Sequence, residues 1–284
     1  MILAIASGKG GTGKTTVAAS LAISLAAEQF PPPLFLDCDV EAPNAHLFLH
    51  PVLEQREEVG IRIPVVDEAR CTHCGKCAEV CQYHAIAVLG KKTLVFPQLC
   101  RGCGSCTALC PEKAITEMPD RMGVIERGLA RNNISFARGV LDVGEPMAVP
   151  VIRQLLATAQ PTLGQTVLRD APPGTSCPVV AAVRGSDYLL LVTEPTPFGL
   201  HDLRLAVQVA DELGIPAGVI VNRENDSYPA LDEYCADHHL PVLLRIPFER
   251  IIAEGVAQGK TLVDIHPEYA DLFRHMFMQI SAMS

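Results

Sequence analysis

The chain has 284 residues, 49% of them hydrophobic and 19% charged, with a formal net charge of −9. That composition can bury a large core and excludes intrinsic disorder, and the acidic balance argues against a nucleic-acid groove. No export signal or bilayer-length apolar run accompanies the eleven cysteines, so they read as metal ligands in a cytoplasmic protein rather than as disulfides.

The first predicted element is a buried strand, "ILAIA". It leads into "SGKGGTGKTT", which holds G-x-x-x-x-G-K-[ST] as Gly8, Gly13, Lys14 and Thr15. The following run, "TTVAASLAISLAAEQ", predicts a helix that stops at "FPPP", since proline cannot continue it. Strand, glycine loop and helix is the setting in which this motif binds a nucleoside triphosphate. Gly8, Gly10, Gly11, Thr12 and Gly13 let backbone N–H groups face phosphate oxygens, and the helix starting at Lys14, Thr15 and Thr16 adds its dipole. Lys14 is expected to reach the β- and γ-phosphates, and the Thr15 hydroxyl to hold Mg²⁺. Next comes "LFLDCDVEAPN", a strand ending in the carboxylates of Asp37 and Asp39.

Two cysteine runs follow. Cys71, Cys74, Cys77 and Cys81 read C-x2-C-x2-C-x3-C, and Cys100, Cys103, Cys106 and Cys110 repeat it, with Pro111 trailing only the second. In this bacterial ferredoxin spacing the fourth cysteine of each run ligates the other cluster. One [4Fe–4S] cluster is therefore assigned to Cys71, Cys74, Cys77 and Cys110, and a second to Cys81, Cys100, Cys103 and Cys106. Zinc ribbons instead pair two C-x2-C units across a longer gap. The similar "CQYHAI" and "CPEKAI" mark an internal duplication. The ferredoxin-like stretch is expected at 61–118, bounded by "HPVLEQREEVG" and "EMPDRMG", so that it splits a domain formed by 1–60 and 119–284.

Beyond it the sequence predicts a hairpin ("GVIERGLARNNISFARGVL") and a helix around "AVPVIRQLLATA". Strands "TVLRD", "YLLLVTE", "AGVIVNR" and "PVLLRI" then alternate with helices "FGLHDLRLAVQVADELG", "YPALDEYCADHH" and "RIIAEGVAQG". Such alternation predicts a doubly wound, mostly parallel α/β sheet with ligands at the strands' carboxyl ends. The last helix, "YADLFRHMFMQISAM", carries Leu272, Phe273, Met276, Phe277 and Ile280 on its apolar side. It has one Arg and no Lys, so it is expected to pack on the core rather than bind a membrane.

The form "KGGTGKTT" is narrower than the general loop and resembles the deviant Walker A (SIMIBI-type) class, which includes MinD, ParA, the nitrogenase iron protein and Mrp-type cluster carriers. In that class the early lysine, here Lys9, crosses a dimer interface to the partner's nucleotide and stabilises charge in trans. By the same resemblance, Asp39 orients the attacking water and Asp37 supports the Mg²⁺ shell. Asp170, before the switch-like "PPGT", takes the Walker B role, and Asn222 reads the adenine edge near "LLRIPFER". Lys9, Lys14 and Asp39 are thus the expected catalytic residues. The iron protein also has a cluster-binding cysteine at the place of Cys177, but its second ligand has no counterpart here, nor has the C-x-x-C pair of Mrp-type carriers.

With both motif sets, the whole chain resembles MinD/ParA/Mrp-superfamily P-loop ATPases that carry an inserted, small α+β ferredoxin domain. The resemblance implies ATP, Mg²⁺ and two [4Fe–4S] clusters as cofactors. It also implies an ATP-dependent homodimer, or a heterodimer with a paralogue, and a redox or metallocofactor partner protein, with neither nucleic acid nor membrane as partner. The expected function is ATP-controlled electron delivery from the clusters. The alternatives are a carrier or assembly ATPase for iron–sulfur or other metal cofactors, and a redox-sensing positioning switch.

Overall fold

The computed structural model describes residues 1–26 and 31–283. In chain order its first elements are β1 (Ile2–Ala6), α1 (Lys14–Leu25), β2 (Leu34–Asp37), α2 (His46–Leu49) and β3 (Val52–Val66). Then come α3 (Lys76–Val80), β4 (Ile86–Leu89), β5 (Lys92–Val95), α4 (Ser105–Ala108), β6 (Ile115–Leu129) and β7 (Ser135–Leu141). The remainder is α5 (Val149–Thr158), β8 (Val167–Asp170), α6 (Cys177–Val183), β9 (Tyr188–Thr193), α7 (Pro197–Leu213), β10 (Ala217–Glu224), α8 (Pro229–Asp237), β11 (Val242–Pro247), α9 (Arg250–Ala257), α10 (Leu262–Ile265) and α11 (Tyr269–Met283). The expected end of the first helix, at 27–30, lies outside the described residues.

Two compact units are present. The first comprises Met1–Glu57, Ile125–Val140 and Ile152–Ser284. The large sheet has the order β11-β10-β9-β1-β8-β2-β7-β6-β3. From β11 through β7 the neighbours run parallel. Strand order reverses at β1, because the chain leaves it toward β2 on one side and later returns to β9 on the other. Such a switch point opens a crevice at the carboxyl ends of the strands, where the phosphate loop follows β1. Register is a chemical constraint here. Asp37 of β2 lies directly beside Asp170 of β8, so both carboxylates share one face at the crevice.

The α1 helix is buried nearly all round, which explains its runs of alanine and leucine. Its internal hydroxyls find backbone partners: Ser20 Oγ donates to the Thr16 carbonyl at 2.6 Å and Ser24 Oγ to the Ser20 carbonyl at 2.8 Å. The α11 helix packs against it, with Phe273, Met276, Phe277 and Ile280 in the core. Leu272, expected on that face, is instead 45% exposed. It sits one residue before Phe273, about 100° round the helix. Among the described residues no helix is long and apolar enough to cross a membrane.

The second unit comprises Glu58–Val124 and Leu141–Val151. Its β4 and β5 form an antiparallel hairpin, and its small cores gather around Cys77, Ile86 and Ile115, and around Ile63, Ala85 and Cys100. The segments expected to bound it fall in strands: all but His50 and Pro51 of the first lie in β3 and the whole of the second in β6, each strand 15 residues long. Their carboxylates and guanidiniums are paired within each unit. Arg127 meets Glu57 at 3.0 Å in the first, and Arg121 meets Glu58 at 3.1 Å in the second. The segment after β7 joins this unit through Asp142, whose N–H donates to the Met122 carbonyl at 2.8 Å and whose carboxylate pairs with Arg121 at 3.0 Å.

The α11 packing predicts that Phe273→Ala costs about 3–5 kcal/mol of stability through lost burial and a residual cavity. Leu272→Ala is expected to stay within about 0.5 kcal/mol. Urea unfolding of the two variants distinguishes a core helix from one detached from the core, for which the two costs would be alike.

Candidate functional site

The loop between β1 and α1 is shaped by two glycines that tolerate no side chain. Gly13 has φ 89°, and a Cβ there would meet Asn222 Nδ2 at 2.2 Å. A Cβ on Gly8 would meet the Asp202 carbonyl at 2.2 Å. Ser7 Oγ donates to the Lys9 carbonyl at 2.7 Å, and Asn222 Nδ2 donates to the Thr12 carbonyl at 2.7 Å. The α1 N-terminus has no side-chain cap, so its first N–H groups remain available to an anion.

Beneath the loop, Lys14 Nζ stands 2.7 Å from Asp170 Oδ1, both side chains being buried. Burial alone would pull the Lys14 ammonium down. The charge and hydrogen bond of Asp170, with Asp39 and Asp37 behind, hold it above the usual lysine value. Asp37 is fully buried beside Asp170, and burial plus that neighbouring charge push its carboxyl up to about 8. Its two oxygens accept from the Asp39 N–H at 3.2 Å and the Ala45 N–H at 3.0 Å. Asp37 therefore braces the turn that presents Asp39. Burial also raises the Asp39 carboxyl, against the pull of Lys14.

A cavity of about 240 Å³ collects Lys9, Gly10, Gly11, Thr12, Gly13, Lys14, Thr15, Thr16 and Asp39 along one wall system. The fit to a Mg-nucleotide rests on two buried atoms that lack a hydrogen-bond partner, Asp170 Oδ2 and Thr12 Oγ1. Both belong to residues that a hydrated cation or a phosphate would satisfy. An adjoining, more apolar cavity of about 260 Å³ shares Gly13, Thr16 and Arg223 with the first and adds Asn222, Pro247, Phe248 and Ile252. It has the character of a nucleobase pocket. Asn222, however, has its amide N–H committed to Thr12, and its Oδ1 accepts from the Arg223 N–H at 2.9 Å.

Two residues absent from the sequence reading matter here. Lys9 Nζ lies 2.9 Å from Glu194 Oε2, and Arg223 Nη1 lies 2.7 Å from Glu194 Oε1. Glu194 follows β9 and Arg223 is the last residue but one of β10, so both are charged residues at carboxyl ends of parallel strands, a signal available in "VTE" and "VNRE".

In the second unit the eight clustered cysteines fall into two cavities. One is lined by Cys71, Cys74, Cys77 and Cys110, the other by Cys81, Cys100, Cys103 and Cys106. Each run thus lends its fourth cysteine to the other run's cavity. The backbone repeats as well: Gly75 and Gly104 start α3 and α4, and His84 and Lys113, each three residues after a fourth cysteine, are left-handed at φ 52° and 49°. That shape returns the Ala85 N–H to Cys81 Sγ and the Ala114 N–H to Cys110 Sγ, each at 3.3 Å. Among the described residues no three His, Cys, Asp or Glu converge tightly enough for a single ion. The thiols line walls around a space, which fits the donor chemistry of a polynuclear iron–sulfur centre. His73 bonds Thr93 Oγ1 at 3.3 Å rather than supplementing the thiols.

The other cysteines differ. Cys38 is buried, and burial pushes its thiol far up; Cys235 is buried and pushed up to about 11 by the same cause. Cys177 is exposed at the start of α6.

The sequence pattern of the "CobQ/CobB/MinD/ParA nucleotide binding domain" family matches residues 3–263. An uncharacterized protein of Methanocaldococcus jannaschii is 30% identical over 273 residues, covering 96% of this chain and 93% of that one. An iron-sulfur cluster carrier protein of Synechocystis is 26% identical, over 95% of this chain and 66% of its own length. Among solved structures, the cell division ATPase MinD of Pyrococcus furiosus superposes with a TM-score of 0.59 at 22% identity, covering 100% of this chain and 99% of that one.

Gly13→Ala is expected to let the free loop relax out of its left-handed shape and away from Asn222, so that Mg-ADP, which needs that shape, must restore ~1–3 kcal/mol of strain and binds about tenfold more weakly. Calorimetric titration checks this, and unchanged affinity would contradict the loop geometry. The protonation of Asp37 has a sign. Its folded value near 8 exceeds the ordinary aspartate value of 3.8, so its contribution is fully present below about pH 4 and is lost as pH rises through about 8. Without nucleotide, wild-type stability is therefore expected to fall relative to Asp37→Asn across that window. Parallel unfolding curves would rule the assignment out.

Proposed function

This chain belongs to the CobQ/CobB/MinD/ParA nucleotide-binding family, and on that premise we propose that it is an ATP-hydrolysing iron–sulfur protein. In this reading the nucleotide state governs electron delivery from two [4Fe–4S] clusters to a partner protein. The observation that carries the redox half is the sorting of eight cysteines into two cavities, each completed by the other run's fourth cysteine. Clusters bound there would supply one-electron carriers, with Cys71, Cys74, Cys77 and Cys110 holding one and Cys81, Cys100, Cys103 and Cys106 the other.

The nucleotide half rests on the loop. Backbone N–H groups of Gly8 through Thr16 receive the phosphates, Lys14 answers their charge, and Thr15 with Asp170 holds the hydrated Mg²⁺. Asp39, propped by Asp37 through its own N–H at 3.2 Å, orients the attacking water. Asn222 positions the loop by tethering Thr12. Lys9 is the group for a partner subunit's nucleotide, in an ATP-dependent dimer. Its ion pair with Glu194 must open first, so that pair acts as a catch on closure. The chain also offers a route between the halves: after Asp39 it passes through α2 into β3, which begins in the nucleotide unit and ends in the cysteine unit.

A second reading, an iron–sulfur carrier, is favoured by the relative that bears that name. Against it, the clustered cysteines form complete sets of four, leaving the exposed Cys177 as the remaining ligand for a transferable cluster. Radiolabelled iron moving into a target protein would favour the carrier; full retention would favour the resident clusters.

The anaerobically purified protein is expected to reduce its copurifying acceptor at a rate, or from a cluster potential, that changes on adding Mg-ATP. In Lys14→Ala the nucleotide effect is expected to vanish while iron content stays. Identical redox behaviour with and without Mg-ATP in the wild type would end the coupling proposal.

A further inference from the structure

The two cysteine cavities have matching backbones but different chemical walls. Around the Cys71 set the charged liners are Lys76 and Glu112, which balance, and Lys76 is already 3.2 Å from Glu79. Val66, Val88 and Ile115 are this cavity's branched aliphatic liners, with His73 and Thr93 bonded to one another beside them. Around the Cys100 set the charged liners are Arg62, Arg101 and Glu117, leaving a surplus of positive charge. Arg101 is held at this cavity by Tyr83, another liner, with its guanidinium carbon 5.7 Å from the ring centroid.

Donors to sulfur follow the same bias. In the Cys71 set, Cys110 Sγ accepts from Ala114 N–H, and Cys71 Sγ contacts Thr93 Oγ1 at 3.5 Å. In the Cys100 set two backbone N–H groups reach sulfur: Cys81 Sγ accepts from Ala85 N–H, and Cys100 Sγ accepts from Gly102 N–H at 3.4 Å, while the Cys103 thiol itself donates to Ser105 Oγ at 3.5 Å. Gly102 takes the place that His73 holds in the first run. Adding an electron to an iron–sulfur centre makes it more negative by one charge. Nearby cations, N–H···S bonds and a less apolar wall all favour that state.

We propose that the two centres are redox-inequivalent, and that the one held by Cys81, Cys100, Cys103 and Cys106 takes the first electron because Arg62 and Arg101 raise its potential. This rests on the cluster reading above. The step needs one electron from a low-potential reductant such as dithionite, reduces one ferric to one ferrous iron equivalent within that centre, and moves no proton. The centre on the Cys71 set is then the stronger reductant of the two.

The test is an anaerobic potentiometric titration of the full chain followed by electron paramagnetic resonance, after iron and sulfide content have been measured. The wild type is expected to show two one-electron steps. Arg101→Gln should move the higher step to lower potential, by a change of about threefold to tenfold in its equilibrium constant, since both arginines are exposed and partly screened. Tenfold corresponds to ~59 mV for one electron. Glu117→Gln should move the same step upward, Glu112→Gln should move the lower step upward, and Arg101→Lys should restore the wild-type value. Coincident wild-type steps, or an Arg101→Gln shift in the lower step, would overturn the inequivalence while leaving the clusters in place. A folded wild-type protein that retains no iron after reconstitution would remove the cluster reading itself, and this proposal with it.

Discussion

A lysine and a carboxylate buried together at 2.7 Å, Lys14 and Asp170, impose the condition to which the nucleotide unit conforms. Two ions withdrawn from water are costly, and removing one partner from such a pair typically costs ~3–5 kcal/mol because the other is left uncompensated. The pair joins the first turn of α1, the helix that follows β1, to the end of β8, the strand beside β1. Burial, and then the charge of Asp170, keep the neighbouring Asp37 from ionising cheaply while the lysine is engaged, and its carboxyl is pushed up. It becomes a backbone brace, and Asp39 is left as the carboxylate that reaches the cavity wall. A division of labour among three aspartates thus follows from one register, Asp37 beside Asp170.

Features legible in the sequence have strong local causes. Apolar runs bounded by polar ends became β1, β2, β8, β9 and β10, because a strand buried on both faces has little freedom of composition. The glycine loop was legible because Gly8 and Gly13 leave no space for a Cβ. Features set by distant partners were not. The second half of β6 and β7 were legible as the hairpin at 123–141, but β3 and the first half of β6 carry charged residues where alternating apolar residues would announce a strand, and the ion pairs between the two strands join residues far apart in the chain. The association of Asp142 with Arg121 is of the same kind, as is Glu194, whose importance comes from what lies opposite it. Leu272 falls outside the apolar stripe because it is adjacent to the buried Phe273, and adjacent helix positions diverge by about 100°.

The cysteine unit separates what duplication preserves from what it releases. Left-handed residues at matching places and the return of an alanine N–H to each fourth cysteine are backbone properties, repeated because both halves must wrap a similar space. Side chains that line the cavity without shaping the backbone have diverged, as Lys76 and Ser105 show. A symmetric scaffold with asymmetric walls gives two sites of equal geometry and unequal electrostatics.

Glu194 poses a comparable inequality in the nucleotide unit. One carboxylate serves two cations, Lys9 and Arg223, and both of those cations also line the phosphate-side cavity. A nucleotide brings several negative charges into that cavity and so competes with Glu194 for each. Lys9 is about one-third exposed, whereas the Glu194 side chain is 14% exposed. The lysine is therefore the member freer to leave, and the acid the one fixed by its surroundings. A ligand shifts such an equilibrium only by its differential affinity for the two arrangements. On the proposed function, phosphate charge, stronger in the triphosphate than in the diphosphate, would provide that difference, so the ion pair at Lys9 would make its release sensitive to which nucleotide is bound.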